Sequence, residues 1–550
     1  MQGTPTFTLG VMASAMLALA GCGSDNHHTD PATPPVTPPV VGLTPDCSKI
    51  QTLTWPNTTF RSATRIDAAA ASSGSVKLPA HCLVTGEINP RTGVDGVHYG
   101  INFELRLPLA WNGRFQFQGG GGTDGNVPPA FGVLNNRPAV APALAQGTAV
   151  VSSDMGHAAT DSRDATFGLD PQARIDWGYN ALDQVTQLAK SVVASFYGQA
   201  PKHSYFVGCS GGGRQGMMMT QRFPHHFDGV VSGAPILEQH VAQVGSMQIL
   251  QELRAIAPKD AAGNPILSRA LSDAQLQLVA DGVRRQCDAK DGAADGLIED
   301  YGSCTYDPAE LQCGSDAASS AGVCLSPQQV GALTRIFQGP KNSAGTQLYP
   351  PIPWDISVSG WRGAMLGTSE TAVPNARRAT NQSIRYVFMT PAQPSFDYFR
   401  FDFDRDPAIM TASAAFTATN SVDYSGFKAR KGKTILFMGV SDAVLNANGM
   451  NRWYDRLAQA NGGVAATGEF ARLFNVPGMD HCSGGKALDD FDPVTPLYDW
   501  VEKDQAPETI LAKGASFPGR ERPLCPYPQI ARYQGSGSVD DAASFRCGAP

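Results

Sequence analysis

Apolar and polar residues alternate with a period of two in Phe103-Glu-Leu-Arg-Leu-Pro108 and in Gly113-Arg-Phe-Gln-Phe-Gln118, the spacing of strands with one face in a core. Thr148-Ala-Val-Val-Ser-Ser153 and Ser204-Tyr-Phe-Val207 are short β-favouring runs, as buried strands are. Between these two lies Trp177–Phe196, where Ala181, Val185, Leu188 and Val192 recur every three or four residues and predict an amphipathic helix. Met217–Phe223 predicts another helix. Strand and helix thus alternate from about Cys47 to Pro235, the rhythm of an α/β sheet. The rhythm weakens from Ile236 to Gly426, which holds two helix-like stretches, Asp273–Arg285 and Pro327–Phe337, and many aromatic residues. It returns with a strand at Thr434–Met438, a helix over Gly449–Ala460 and a strand at Ala471–Val476. The pattern predicts one α/β unit over residues 47–235 and 427–550, interrupted by an inserted lid at 236–426. At 550 residues a second structural unit is expected on size alone, because single cores rarely grow so large.

Composition narrows the class. The formal net charge is −7 and no block of Lys or Arg occurs, so the chain has no electrostatic footprint for nucleic acid. Thr8–Ala20 is apolar but too short to span a bilayer, and it leads into Leu19-Ala20-Gly21-Cys22, which resembles a bacterial lipobox. Residues 1–22 are therefore expected to be a lipoprotein-type signal with Cys22 as the lipidated residue. No Lys or Arg precedes the apolar stretch, and a plain secretory signal is the alternative. Either way the chain is expected to be exported, as a periplasmic or outer-membrane-anchored lipoprotein or as a secreted protein. Residues 23–46, rich in Pro and Thr, predict a semi-extended linker. Eleven cysteines less Cys22 leave ten, an even number that suits disulfides in an exported chain. Ten cysteines allow many pairings. Local ones are the simplest expectation: Cys47 with Cys82, Cys287 with Cys304, Cys313 with Cys324, Cys525 with Cys547. Cys209 and Cys482 are left over.

The candidate chemistry begins at Tyr205-Phe-Val-Gly-Cys-Ser-Gly-Gly-Gly-Arg-Gln-Gly216, a strand running through Gly-x-Ser-x-Gly into a helix. Such a turn needs small residues beside the serine, because strand and helix approach closely. Ser210 is the candidate nucleophile; an ordinary Gly-rich loop or a dinucleotide-type phosphate cradle are the competing readings. Serine is a weak nucleophile at neutral pH and needs a base, which needs an orienting carboxylate. The α/β-hydrolase order is Ser, acid, His. Asp442 lies four residues past the strand 434–438 and His481 just past the strand 471–476, and of ten histidines only His481 satisfies position and order. His225 and His226 follow the serine too closely and are expected to be surface or capping residues. Asp480 competes for the acid role, but adjacent residues rarely face one another with hydrogen-bond geometry. The glycines Gly119–Gly122 after a strand offer bare N–H groups, so Gly211 and a glycine near Gly121 are the expected oxyanion donors; a flexible turn is the alternative. Cys209 adjoins Ser210 and Cys482 adjoins His481, so a bridge between them would tie nucleophile to base. Asp288, Asp291 and Asp295 on a Gly-punctuated turn offer hard oxygens of the kind calcium prefers, although the spacing is not an EF-hand's and a solvated acidic loop is the alternative.

Tyr205–Met217, Arg222-Phe-Pro224, Phe227–Pro235, Gly439–Asp442 and Pro477-Gly-Met-Asp-His-Cys482, with Ser153–His157 and Trp111–Arg114, resemble the tannase/feruloyl esterase family of serine hydrolases. The resemblance runs from Cys47 to the C-terminus. It implies an α/β-hydrolase fold with a large inserted lid, a triad of Ser210, Asp442 and His481, and the Cys209–Cys482 bridge. It also implies a structural Ca2+ in the lid, held by Asp288, Asp291, Asp295 and the carbonyls of Ala293 and Leu297. The lid's aromatic density favours a small ester of a planar aromatic acid, of galloyl, hydroxycinnamoyl or terephthaloyl type. Trp361 is the best single candidate for substrate contact. Arg377 and Arg378 are candidates for the free carboxylate of a terephthalate monoester, which must be paired if it is desolvated. The rival of another class is a non-catalytic surface lipoprotein that keeps the fold for binding.

Overall fold

The structure, a computed structural model, describes residues 46–134, 137–315 and 322–550. The expected signal segment, Cys22 and all but the last residue of the linker lie outside the described residues. At the centre is a nine-stranded mixed sheet. Its strands are β1 (Thr58–Ile66), β2 (His81–Thr92), β3 (His98–Pro108), β4 (Arg114–Gln118), β5 (Ala149–Ser153), β6 (His203–Cys209), β7 (Gly229–Gly233), β8 (Lys433–Gly439) and β9 (Ala471–Val476). Their spatial order is β1-β2-β3-β5-β4-β6-β7-β8-β9. The first three form an antiparallel meander, β3 meets β5 antiparallel, and every later neighbour is parallel. β6 and β7 show no alternation because both their faces are covered: Ser204–Cys209 and Gly229–Gly233 are buried throughout.

Helix α1 (Ala181–Tyr197) lays Val185, Leu188, Val192 and Phe196 into the core and stops at Gly198, whose φ of 73° suits a residue without a Cβ. The helical course starts earlier than its apolar spacing predicts, at Pro171, and passes through a π-type turn at Asp176–Asn180. That turn has a cause. Arg214, fully buried, donates to the carbonyls of Gly178 at 2.8 Å and Trp177 at 3.0 Å, which favours the wider turn.

Next come α2 (Gly211–Gln221), α3 (Gln239–Ile256), α4 (Asp273–Cys287) and α5 (Pro327–Gln338); α6 (Ala447–Ala460) follows β8. Ser272 with Gln275, and Ser326 with Gln329, build capping boxes that open α4 and α5. Among the described residues, segment 236–426 adds no strand to the central sheet. Its apolar core is nonetheless continuous with the sheet's, since Leu250, Leu276 and Leu333 belong to one buried cluster with Phe206 and Phe437. Five disulfides close Cys47–Cys82, Cys209–Cys482, Cys287–Cys304, Cys313–Cys324 and Cys525–Cys547, with Cα separations of 4.9 to 6.2 Å. No helix of the described residues is long and apolar enough to cross a membrane.

Candidate active site

β6 ends at Cys209 and α2 begins at Gly211, so Ser210 turns the chain alone, at φ 61° and ψ −120°. A residue with a Cβ pays for such a conformation, and here Ser210 N–H donates to Gly233 O of β7 at 2.9 Å to hold it. The helix starts at Gly211 rather than near Met217 as the sequence suggests, because its glycine-rich first turn must lie against backbone. A Cβ on Gly208 would stand 2.7 Å from the Gly212 carbonyl carbon, and one on Gly211 would stand 2.9 Å from Gly122 O. The dinucleotide-like spacing Gly211-x-Gly213-x-x-Gly216 does occur in the sequence, but all three glycines lie inside α2, so it forms no phosphate cradle at the turn.

Asp442 follows β8 on a loop that fixes its carboxylate: Oδ1 accepts from the N–H of Val444 at 2.8 Å and Leu445 at 3.0 Å. Its Oδ2 lies 2.7 Å from His481 Nδ1, and His481 Nε2 lies 2.7 Å from Ser210 Oγ. A carboxylate only accepts, so Nδ1 carries the proton and Nε2 is left to accept from the serine hydroxyl. Asp442's side chain is fully buried while His481 keeps 29% of its side chain exposed, so the reacting end of the relay is open. Burial alone would lower the His481 pKa; the charge and hydrogen bond of Asp442, with the charge of Asp480, raise it above the ordinary value. Asp480 stands outside this relay. Its Oδ2 accepts from Ser359 Oγ at 2.9 Å, and burial pushes its pKa up to about 6. Cys482, one residue past the histidine and at φ 67°, is bridged to Cys209 with Cα atoms 6.2 Å apart. Two further groups hold this loop, and neither carries a periodic signal along the chain. Buried Arg137 donates to the Cys482 carbonyl, and Asp355 accepts from Gly478 N–H at 2.8 Å.

The loop Gly119–Gly122 follows β4 and meets the start of α2. Gly212 N–H donates to Gly120 O at 3.1 Å, Gly120 N–H to Gln215 Oε1 at 3.1 Å, and Asp124 N–H to Gly121 O at 2.9 Å. Among the described residues, the amides of Gly121, Gly122 and Gly211 find no acceptor. They are close together, since a Cβ on Gly211 would be 3.1 Å from both Gly121 Cα and Gly122 N. Unpaired N–H groups one residue from a nucleophile can receive the negative oxygen of a tetrahedral intermediate.

The remaining candidates divide. Trp361 is only 4% exposed; its ring lies parallel to Phe337 at 5.9 Å, and Phe337 stacks on Trp354 at 3.8 Å. Much of that aromatic density therefore packs the helical segment itself. The short helix Val358–Trp361 still abuts the histidine loop through Ser359 and Asp480. Arg377 donates to Tyr398 Oη at 2.6 Å, and Arg378 pairs with Asp161, which also holds Arg163 at 3.2 Å. The next residue, Ser162, accepts Thr123 N–H at 2.7 Å, so Arg378 is tied through Asp161 to the segment beside the glycine loop, whereas the contacts of Arg377 are with Tyr398 and Phe399. His226 is buried rather than a surface residue, because Asp183 Oδ1 holds its Nε2 at 2.6 Å. With exposed His225 they form, among the described residues, the one group of three whose ligating atoms lie within 4.8 Å of one another. That group stands beyond the far end of α2 from Ser210. A cavity of about 480 Å³ between α3 and α6 reaches Leu445 and Asn446 but neither Ser210 nor His481.

On the acidic loop, Asp288 Oδ2 accepts from Gly296 N–H at 2.8 Å, Asp291 Oδ1 from Ala293 N–H at 2.8 Å, and Asp295 Oδ2 receives Arg522 at 2.6 Å. Asp291 Oδ2 is buried without a hydrogen-bond partner. Burial, with the charges of Asp295 and Asp288, pushes the Asp291 carboxyl up to about 7. A buried orphan oxygen among hard carboxylates fits a calcium ion, and Ala293 and Leu297 are buried on the same loop.

Residues 82–548 match the sequence pattern of the family described as tannase and feruloyl esterase. The chain is 44% identical over 550 residues to mono(2-hydroxyethyl) terephthalate hydrolase of Piscinibacter sakaiensis, with 90% of each chain covered. It is 30% identical over 465 residues to a probable feruloyl esterase B-1 of Neosartorya fischeri, covering 81% of this chain and 82% of that one. Among solved structures, feruloyl esterase B from Aspergillus oryzae aligns with a TM-score of 0.76 at 25% identity, covering 91% of this chain and 99% of that one.

Proposed function

The chain belongs to the tannase and feruloyl esterase family, has its α/β-hydrolase fold and is a carboxylic ester hydrolase; from that premise we propose that it cleaves esters of planar aromatic acids through an acyl-enzyme on Ser210. The observation that carries the reading is the unbroken relay Ser210 Oγ–His481–Asp442, both contacts 2.7 Å, beside the unpaired amides of Gly211 and Gly121. His481 Nε2 takes the hydroxyl proton as Ser210 Oγ attacks the carbonyl carbon, and the two amides receive the oxyanion. His481 then gives that proton to the departing alcohol. In the second half it removes a proton from water, which attacks the acyl carbon, and the proton returns to Ser210 as the acid leaves. Asp442 holds the imidazole in the one tautomer this requires.

Two relatives with aromatic acyl groups in their names support an aromatic acid as the substrate's acyl part. A second reading, hydrolysis of terephthalate monoesters, is favoured by the 44% identity to the terephthalate hydrolase and gives Arg377 or Arg378 the free carboxylate to bind. Trp361 would contact the ring only along its narrow exposed edge. Ca2+ held by Asp288, Asp291, Asp295 and the Ala293 and Leu297 carbonyls would neutralise the acidic loop and stiffen it. Five disulfides support an oxidising compartment, and Leu19-Ala20-Gly21-Cys22 supports export with a lipid anchor on Cys22.

The test is a panel of ethyl ferulate, methyl gallate and mono(2-hydroxyethyl) terephthalate, with a fluorophosphonate probe and a Ser210→Ala variant. Wild type is expected to be labelled and to hydrolyse at least one ester, and the variant to do neither. An unlabelled wild type, or a variant with full activity, sinks the reading. Preference for the neutral esters removes the terephthalate reading alone.

A further inference from the structure

We propose that Gln215 and Asp124 are positioning residues, a buried latch that sets the direction of the Gly121 amide and so aims the oxyanion donor. The proposal rests on the esterase reading above. Gln215 lies four residues after Gly211 and hence on the same face of α2, against the glycine loop. Both side chains are buried, Gln215 completely. Gln215 Oε1 accepts Gly120 N–H at 3.1 Å, and its Nε2 donates to Asp124 Oδ2 at 2.9 Å. Asp124 N–H returns to Gly121 O at 2.9 Å, closing the circuit round the glycines.

Two physical constraints follow. A trans peptide sets its N–H opposite its C=O. The Gly120 carbonyl is taken by Gly212 N–H at 3.1 Å, so the Gly121 N–H must point away from Gly212, and it is one of the unpaired amides. The second constraint concerns the amide of Gln215, which could in principle turn end for end. Gly120 N–H can only donate, so Oε1 faces it, and Asp124, whose carboxyl burial pushes up to about 7 against the Gln215 hydrogen bond and the charge of Arg214, holds that orientation in its ionised, accepting form. Turned over, Gln215 would set its NH2 against Gly120 N–H, donor against donor, and the loop would shift. Around the other Asp124 oxygen stand the Trp177 indole and the Arg214 charge, both of which favour the ionised carboxyl, and neither lies in the hydrogen-bond geometry that Gln215 has.

The test is a polarity swap. Gln215→Glu keeps an acceptor for Gly120 but sets a second buried carboxyl against Asp124, which in its ionised form offers no donor. It should lower kcat by roughly 10- to 100-fold, with KM within about twofold, since oxyanion contacts form in the transition state. Adding Asp124→Asn restores one donor–acceptor pair with reversed sense and should bring kcat back to within about fivefold of wild type. The 31P shift of the fluorophosphonate-labelled serine, which reports hydrogen bonds to the phosphonyl oxygen, should move in the single variant and return in the double. If Gln215→Glu does not fold, Asp124→Ala, which removes the acceptor for Gln215 Nε2, takes its place beside the double variant in the kcat and 31P readings. Near-wild-type kcat in Gln215→Glu or in Asp124→Ala, or a double variant no better than Gln215→Glu, overturns the latch and leaves the esterase reading intact. A wild type with no hydrolysis overturns the esterase reading itself.

Discussion

Replacing Cys209 and Cys482 together with alanine separates two effects that one disulfide combines. The pair closes a loop of 273 residues, against 22 for Cys525 and Cys547. Loop-closure entropy then assigns about 5.6 kcal/mol to the first bridge and about 3.4 kcal/mol to the second at 25 °C. The nested bridges, spanning 17 and 11 residues, shorten the first path only slightly. On stability alone the two double variants should therefore differ by about 2 kcal/mol in urea melts. Activity per folded molecule should divide more sharply. Only the first bridge adjoins both Ser210 and His481, whose contact is 2.7 Å, and a misplacement near 1 Å costs on the order of 100-fold. The expected result is a kcat loss of about 10- to 100-fold for Cys209→Ala/Cys482→Ala. The Cys525→Ala/Cys547→Ala control should stay within about twofold, both normalised to the folded fraction by near-UV circular dichroism. Equal losses per folded molecule would refute the positioning role and leave the bridge a purely conformational restraint.

Asp442→Asn should lower kcat by about 10⁴. His481 acts as a base only when unprotonated, and its raised pKa places the acid limb of kcat/KM above the ordinary histidine value near ~6.5; removing the carboxylate should move that limb to lower pH, and an unmoved limb would contradict the assignment. Chelation with EGTA should lower the melting temperature while sparing kcat at temperatures where the chain stays folded; saturation at about 100 times Kd corresponds to ~2.7 kcal/mol. An unchanged melt, with no calcium by elemental analysis, dismisses the ion. Arg377→Ala or Arg378→Ala should raise KM for mono(2-hydroxyethyl) terephthalate by about 10-fold and leave a neutral methyl ester within about twofold. Equal effects on both esters would make these arginines structural.

Much of this site was legible because its chemistry is ordered along the chain. Ser210, Asp442 and His481 each follow a strand recognisable from its apolar run, and the leftover cysteines fell beside two of them. What local pattern does not encode is which strands become neighbours, so the order of the sheet was beyond reach. Buried polar groups were the other blind spot. α3 hides Gln239, His240, Ser246 and Gln248 beside Met247 and Leu250, so its core face does not read as apolar. Arg214, Arg137, Asp124 and Gln215 look like surface residues in sequence, yet all are buried and act through fixed hydrogen bonds. Trp361 differs in the opposite sense: in sequence it reads as an aromatic free to meet a substrate, whereas its ring lies parallel to Phe337 and keeps only a narrow exposed edge.

The placement of helices between β7 and β8 also bears on how the chain is made. Roughly 200 residues separate those strands, and synthesis at about 5–20 residues per second leaves the first part of the sheet waiting about 10 to 40 s for its last two members. During that interval Cys209 has no legitimate partner. An oxidant that joins cysteines in order of emergence would make Cys47–Cys82 correctly and then couple Cys209 to Cys287, putting every later pair but Cys525–Cys547 out of step. Under pairing in order of emergence, native bridges require thiol–disulfide isomerisation as well as oxidation, and the expected product of an oxidant alone is a chain with Cys209 and Cys482 bridged to the wrong partners, read by disulfide mapping.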